Sequence, residues 1–420
     1  MRSNKIGFWS ILAIVIGSQV GSGVFVLPGQ LALYGYNSIY AILIASYGAL
    51  CLALVFANLC FRFPQTGGPH VYVQKVLGNS LAFFTGWTYW VVSWVSSLAV
   101  VIVAVTSLSP LIGNNPDVIF LLEASLLIFI TFLNTKGVDN SSKAEFVLTL
   151  IKVIPLLLIP CLAFINFEAD NFIPLVNDFN FFEIIIFGLW GFIGIEAATT
   201  PAENVINPKR NIPLAILIGT TIVAIIYIVN TVGIIGAISP LNLVNNQSPY
   251  ADVAGNLFGG NWQIIIAILI STICIGTLNA WVLAGGQIAL GCSNDKLFPK
   301  LLGKTNKHGA PYIALIISAF ISIILLYLVK EEGFKDQLAY LIEVSVVVFL
   351  YTYLICCVCY VIVLYKEKAK LVRYYIAFIG LVFCSGIILF TPVKILLSAF
   401  AFVLSGLPIY FYKKYKVTKI

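Results

Sequence analysis

Long apolar runs separated by short polar breaks follow one another from end to end of the chain. A membrane-crossing helix needs about 20 mostly apolar residues, and the runs predict helices near 7–34, 38–62, 80–108, 118–134, 144–166 and 181–206. Further helices are expected near 211–238, 261–291, 311–329, 338–365, 372–390 and 393–412. Two runs, the first and the sixth, are interrupted by glycine: Gly17–Phe25 reads GSQVGSGVF and Trp190–Glu196 reads WGFIGIE. Lipid supplies no hydrogen-bond partners, so a spanning helix comes undone only where protein or a water-filled cavity satisfies the freed backbone. Paired interruptions in two halves of a chain point to the substrate site of a transporter. The reading is therefore an all-α integral membrane fold of twelve transmembrane helices. Two five-helix repeats of opposite orientation carry discontinuous helices 1 and 6, and two C-terminal helices follow. The whole of 1–420 is expected to form one transporter domain, divided as 6–166, 181–365 and 372–412.

Composition removes the alternatives to a membrane fold. Hydrophobic residues make up 60% of the chain and charged residues only 10%, against about 25% charged in soluble domains. The first apolar run is too long for a signal peptide and has no small-residue cleavage site, so it is expected to stay as a helix. With the N-terminus inside, all of the 24 basic residues except Lys152, Lys330, Lys335 and Lys394 fall in segments assigned to the inner face or its helix ends. The positive-inside rule expects this asymmetry, and it places both termini in the cytoplasm. The net charge of +7 is thus a topology signal and does not point to nucleic acid. A lipid bilayer is the large partner, and a homodimer is a candidate assembly. The abundance of Ile, Asn and Lys suits an AT-rich bacterial genome, hence a bacterial inner membrane.

Few residues here carry chemistry. Gly17, Gly21 and Gly23 with Ser18 and Ser22 either let the first helix unwind, exposing amide N–H groups to an anion such as a carboxylate, or serve close helix packing. Glu196 is the acidic residue deepest in the sixth helix, where an ionisable group costs several kcal/mol and marks function by default. Its roles are proton coupling or gating on one side, a structural carboxyl on the other. Lys152, in LTLIKVIPLLL, either snorkels to the interface or bonds carbonyls freed by the first break, where another transporter would place a sodium ion. Glu343 is expected near the outer surface, and Glu123 and Glu145 near helix ends. Tyr89, Trp90 and Trp94 cluster on the third helix, with Trp190 at the second break and Trp281 on the eighth. Aromatic walls suit an amphipathic substrate and hold an ammonium by cation–π contact.

No nucleophile triad or phosphate loop is present, which argues against an enzyme. His70 and His308 lie in cytoplasmic connections. Cys356, Cys357 and Cys359 are read as small buried apolar residues, so neither a metal nor a cofactor is expected. Asn246 begins an outer-loop glycosylation sequon.

Several segments in order carry a resemblance: GSGVF (21–25), TGGPHVYV (66–73), TYW (88–90), WGFIGIE (190–196), ENVINPKRNIP (203–213) and NDKLFP (294–299). On these the chain resembles the amino acid–polyamine–organocation superfamily, especially its bacterial basic amino acid/polyamine antiporters. The resemblance implies the five-plus-five inverted repeat and alternating access. It further implies that Ser22 and Gly23, beside Gly21, bind a substrate carboxylate, that Trp190 and Ile193 line the side-chain pocket, and that Tyr89 and Trp281 belong to aromatic layers closing over it. Glu196 matches an acidic residue of proton sensing or coupling. Ser97 departs from the family: an asparagine that helps hold a guanidinium stands there in arginine/agmatine antiporters. Lys152 resembles instead the fifth-helix lysine of proton-coupled and sodium-independent amino acid transporters. The expected activity is exchange of cationic amino acids or polyamines; the alternative is proton symport of neutral amino acids using Lys152.

Overall fold

The computed structural model describes residues 6–65, 67–136, 141–200, 202, 205–244, 249–330 and 334–417. The first apolar run gives α1 (Phe8–Gln19) and α2 (Ser22–Leu31), and the second gives α3 (Tyr36–Arg62). A short α4 (Pro69–Leu77) precedes α5 (Asn79–Thr106), and the single turn α6 (Ser109–Ile112) leads to α7 (Pro116–Thr135) and α8 (Ser141–Ala163). After α9 (Phe181–Trp190) and α10 (Pro208–Ala237) come the short α11 (Pro240–Val244) and α12 (Pro249–Phe258). The remainder is α13 (Trp262–Asn294), α14 (Tyr312–Val329), α15 (Phe334–Lys366), α16 (Leu371–Phe390), α17 (Val393–Leu404) and α18 (Leu407–Val417). Among the described residues, ten segments are long and apolar enough to cross a membrane, and Lys152–Asn166 and Phe181–Trp190 are shorter apolar helices. The protein is a multi-pass membrane protein.

Local sequence explains where the helices begin. Asn115 caps α7, its side-chain oxygen accepting from the amides of Asp117 and Val118. Pro116 stands in the first turn, where its missing N–H costs nothing, and Asp117 meets the positive end of the helix dipole. Asn180 caps α9 in the same way, through Phe182 N.

Burial sorts the bundle into centre and rim. The most apolar stretch of α5 is wholly buried, whereas the corresponding stretches of α14 and α16 are 22% buried and that of α17–α18 only 17%. Leu371, Leu389, Val393 and Phe320 stand out from these outer helices. Such a surface is untenable in water and fits lipid contact. At the centre α5 and α13 cross so closely that a Cβ on Gly285 would lie 2.5 Å from Ser93 Oγ.

Two expectations need correction. The sixth run, expected as helix over 181–206, is α-helical only to Trp190. A short 3-10 turn follows at Ala197–Thr199, and Val205 pairs with Ile6 in an isolated parallel bridge. Gly194 sits at φ 105, outside helical conformation. The hydroxyls of Thr199 and Thr200 donate back to Glu196 O and Ala197 O at 2.7 Å each, and such local bonds compete with a regular helix. The last run, expected as one helix over 393–412, is split at Ser405–Gly406. Trp87 fills the split, its indole N–H donating to Ser405 Oγ at 2.9 Å, and a Cβ on Gly406 would press on its ring at 2.8 Å.

Candidate functional site

The first break is narrower than the glycine pattern suggests. Gly17 and Ser18 remain helical, and only Val20 and Gly21 leave the helix. Freed carbonyls find partners on neighbouring helices. Tyr227 of α10 donates its hydroxyl to Gln19 O at 3.3 Å, and the Thr277 hydroxyl of α13 lies 3.5 Å from Val20 O. Further along, Asn230 Nδ2 donates to Val24 O at 2.6 Å, and the hydroxyl of Tyr250 donates to Asn230 Oδ1. No side chain caps α2, so its first amide N–H groups lack intrahelical partners. Both glycines of the break are needed for close approach. A Cβ on Gly21 would lie 2.8 Å from Thr277 Cγ2, and one on Gly23 only 2.7 Å from Trp190 Cδ1.

The second break meets the first. Ser18 Oγ donates to Gly194 O at 3.1 Å, which joins α1 to the turn between Trp190 and Glu196. Trp190, Ile193 and Ser22 are all buried. Glu196 is wholly buried, and both its carboxylate oxygens are used. Tyr89 of α5 donates to Oε1 at 2.5 Å and Tyr353 of α15 donates to Oε2 at 2.6 Å. One carboxylate thus ties the second break to two other helices. Phe349, one turn before Tyr353, packs on Tyr89 edge-on with ring centroids 5.6 Å apart and on Trp281 at 5.7 Å. Sequence reasoning missed Tyr353 and Phe349, which sit in an apolar run with no charge, glycine or break to mark them. Missed too were Thr277, Tyr227 and Asn230, the side chains that bond backbone carbonyls at and around the first break.

Lys152 is only 1% exposed and does not snorkel. Its Nζ donates to Thr277 Oγ1 at 3.2 Å, and so reaches the first break through the residue that touches Val20 and Gly21. Ser97 lies buried on α5 and donates to Ser93 O at 2.8 Å. It lines a small pocket with Trp281, on the side of α5 and α13 that faces α7 and α14. The aromatic cluster of α5 divides. Tyr89 serves Glu196, while Trp90 packs on Trp87 and Phe298, and Trp94 on Phe402.

Other sequence candidates fall elsewhere. Glu343 is half-buried and Glu123 buried, while Asn246 and the side chain of Glu145 lie outside the described residues. His308 is exposed. His70 on α4 is buried and bonded to Asp295 at 3.1 Å, just past α13. Burial pulls the His70 imidazole down, but neighbouring Cys292 and Asp295 outweigh it and hold its pKa at about 10.

The family model described as amino acid permease matches residues 6–412, nearly the whole chain. The chain belongs to the amino acid permease family. Its members are transporters, so this permease is not an enzyme. The cadaverine/lysine antiporter of Escherichia coli (strain K12) is 29% identical over 370 residues, covering 85% of this chain and 83% of that protein. The putrescine transporter PotE of Escherichia coli (strain K12) is 27% identical over 392 residues, covering 90% and 89%. A putrescine transporter PotE of Haemophilus influenzae (strain ATCC 51907 / DSM 11121 / KW20 / Rd) is 28% identical over 391 residues, covering 90% of each. Lysine and the polyamines cadaverine and putrescine are the substrates that these relatives' names give.

Proposed function

We propose that this permease exchanges one cationic amino acid or polyamine for another across the inner membrane of a bacterium, by alternating access, with both termini in the cytoplasm. The observation that carries the reading is the clasp at the second break, where Tyr89 and Tyr353 from two other helices hold Glu196. In this reading the substrate carboxylate, where there is one, binds the unpartnered amides of Gly21–Gly23. The substrate chain lies against Trp190 and Ile193, with Ser97 near its far end. Tyr89 and Trp281 close over it. Opening to the cytoplasm requires the Tyr89–Glu196–Tyr353 bonds to part, so the carboxylate couples proton occupancy to the gate. The twelve-helix topology, with five-helix sets at 6–166 and 181–365 and a pair at 372–412, is supported by matched packing. α1 lies on α10 as α9 lies on α3, and α1 meets α8 as α9 meets α15.

The test is the pH profile of exchange by reconstituted Glu196→Gln protein. Glutamine keeps the size and an acceptor oxygen and removes the titrating group. A flattened profile with residual exchange is expected, and an unchanged profile overturns the coupling role. A second reading, proton symport of neutral amino acids, is favoured by the buried contact of Lys152 with Thr277, which puts an ammonium beside the first break. It requires uptake into empty vesicles under an inward proton gradient.

A further inference from the structure

A proline stands inside the half-helix that follows the first break. Pro28 lies in the interior of α2. Proline has no N–H, and its ring crowds the carbonyl one turn earlier, so Val24 O loses its helical donor. In a membrane interior such a carbonyl has to be satisfied by a neighbour. Asn230 of α10 does this, its Nδ2 donating to Val24 O at 2.6 Å. A carbonyl only accepts, so the amide nitrogen of Asn230 faces it and Oδ1 is turned away. There it accepts from the hydroxyl of Tyr250 on α12. The ring of Tyr250 returns to α2 and packs edge-on against Phe25, with centroids 5.1 Å apart. Val24, Asn230 and Tyr250 are wholly buried, and Phe25 nearly so.

Asn230 does not act alone on α10. Tyr227, one turn earlier, donates to Gln19 O at 3.3 Å, on the α1 side of the break. α10 therefore splints the first break, with Tyr227 holding α1 and Asn230 holding α2. Between the two bonds lie Gly21–Gly23, whose amides open α2. Amides at a helix start favour an anion that lies along the helix axis, so the direction of α2 sets where the anion sits. Without Asn230, Val24 O would be left bare, and α2 would be free to tilt about Val20 and Gly21, the residues outside the helix. Tyr250 fixes the Asn230 amide and grips Phe25 as well, so α12 takes part in setting that direction.

We infer that Asn230, set by Tyr250, is a positioning residue that aims the amides of α2, and that it thereby favours substrates carrying a carboxylate over diamines. The inference rests on the exchange reading, in which those amides hold the substrate carboxylate. A diamine has no carboxylate to meet them, so its binding does not depend on the aim of α2.

The test uses the missing N–H. Pro28→Ala returns a donor to Val24 O, so the loss of Asn230 should matter less in its presence. Equilibrium binding of labelled lysine and labelled cadaverine is measured on purified full-length wild type, Asn230→Leu, Tyr250→Phe, Pro28→Ala and the Pro28→Ala/Asn230→Leu double variant. Asn230→Leu is expected to weaken lysine binding about tenfold, the scale of one lost hydrogen bond, and cadaverine binding less than about twofold. Tyr250→Phe keeps the ring against Phe25; it should shift lysine the same way by a smaller factor, and it serves if Asn230→Leu does not fold. The double variant should recover most of the lysine affinity. Equal weakening of both ligands in the single variants overturns the inference, as does a double variant that recovers nothing or a wild type that binds neither ligand. Exchange by the same proteins in preloaded vesicles separates the two claims. The expected binding pattern without any exchange would leave the inference standing and defeat the exchange reading, whereas exchange without the pattern would do the reverse.

Discussion

Among single residues, what decides the site is how the unwound backbone is approached. Gly23 has no room for a side chain because Trp190 Cδ1 and Tyr227 OH would lie 2.7 and 3.0 Å from its Cβ. Gly23→Ala should therefore displace Trp190. Overpacking of this kind costs about 1–3 kcal/mol, which read as lost substrate binding is roughly a tenfold to hundredfold rise in KM. The check is uptake kinetics on protein whose elution by size exclusion is unchanged; an unaltered KM would place the substrate away from Trp190. Lys152→Ala divides the two transport readings. Exchange between preloaded vesicles should persist in part if lysine is an ion-site substitute, and proton-driven uptake into empty vesicles should vanish if symport is correct. Glycine, Glu196 and Lys152 were legible in the sequence because each is out of place in an apolar run. Tyr353 and Thr277 were not, since a hydroxyl on a buried helix looks the same whether it holds a carboxylate or only its own backbone.

At the level of elements, the contact of α4 with the end of α13 carries a pH dependence. His70, with a folded pKa raised to about 10 from the ordinary 6.5, stabilises the fold as the imidazolium paired with Asp295. A raised pKa means that this contribution is complete below pH 6.5 and fades as pH climbs through 10. Thermal melts of wild type should therefore fall between those values. Asp295→Asn should melt lower near pH 6.5 and show a shallower decline. A variant as stable as wild type at pH 6.5, with the same slope, would contradict the assignment. The sequence marked α4 as a motif, TGGPHVYV, without showing it as a helix, because nine residues between polar flanks carry too short a period to read. The split between α17 and α18 was hidden for another reason: it exists because Trp87, more than 300 residues away, fills it.

For the molecule as a whole, the sequence was most informative where the physics is simplest. A bilayer demands runs of fixed length and punishes every unsatisfied amide, so most apolar segments and the start of both breaks could be placed to within a few residues, whereas the non-helical stretch after Trp190 and the split at Ser405–Gly406 could not. Which faces meet across the bundle depends on packing between distant helices, and no periodicity records it. That the helices join into a machine for exchange is the central claim, and one measurement tests it most directly. Labelled lysine and cadaverine are offered to proteoliposomes containing the wild-type protein, preloaded with unlabelled lysine, cadaverine or putrescine or left empty, with and without a pH gradient. The account predicts rapid uptake only where a cationic substrate waits inside. Equal uptake into empty vesicles driven by an inward proton gradient, or none under any loading, would contradict it.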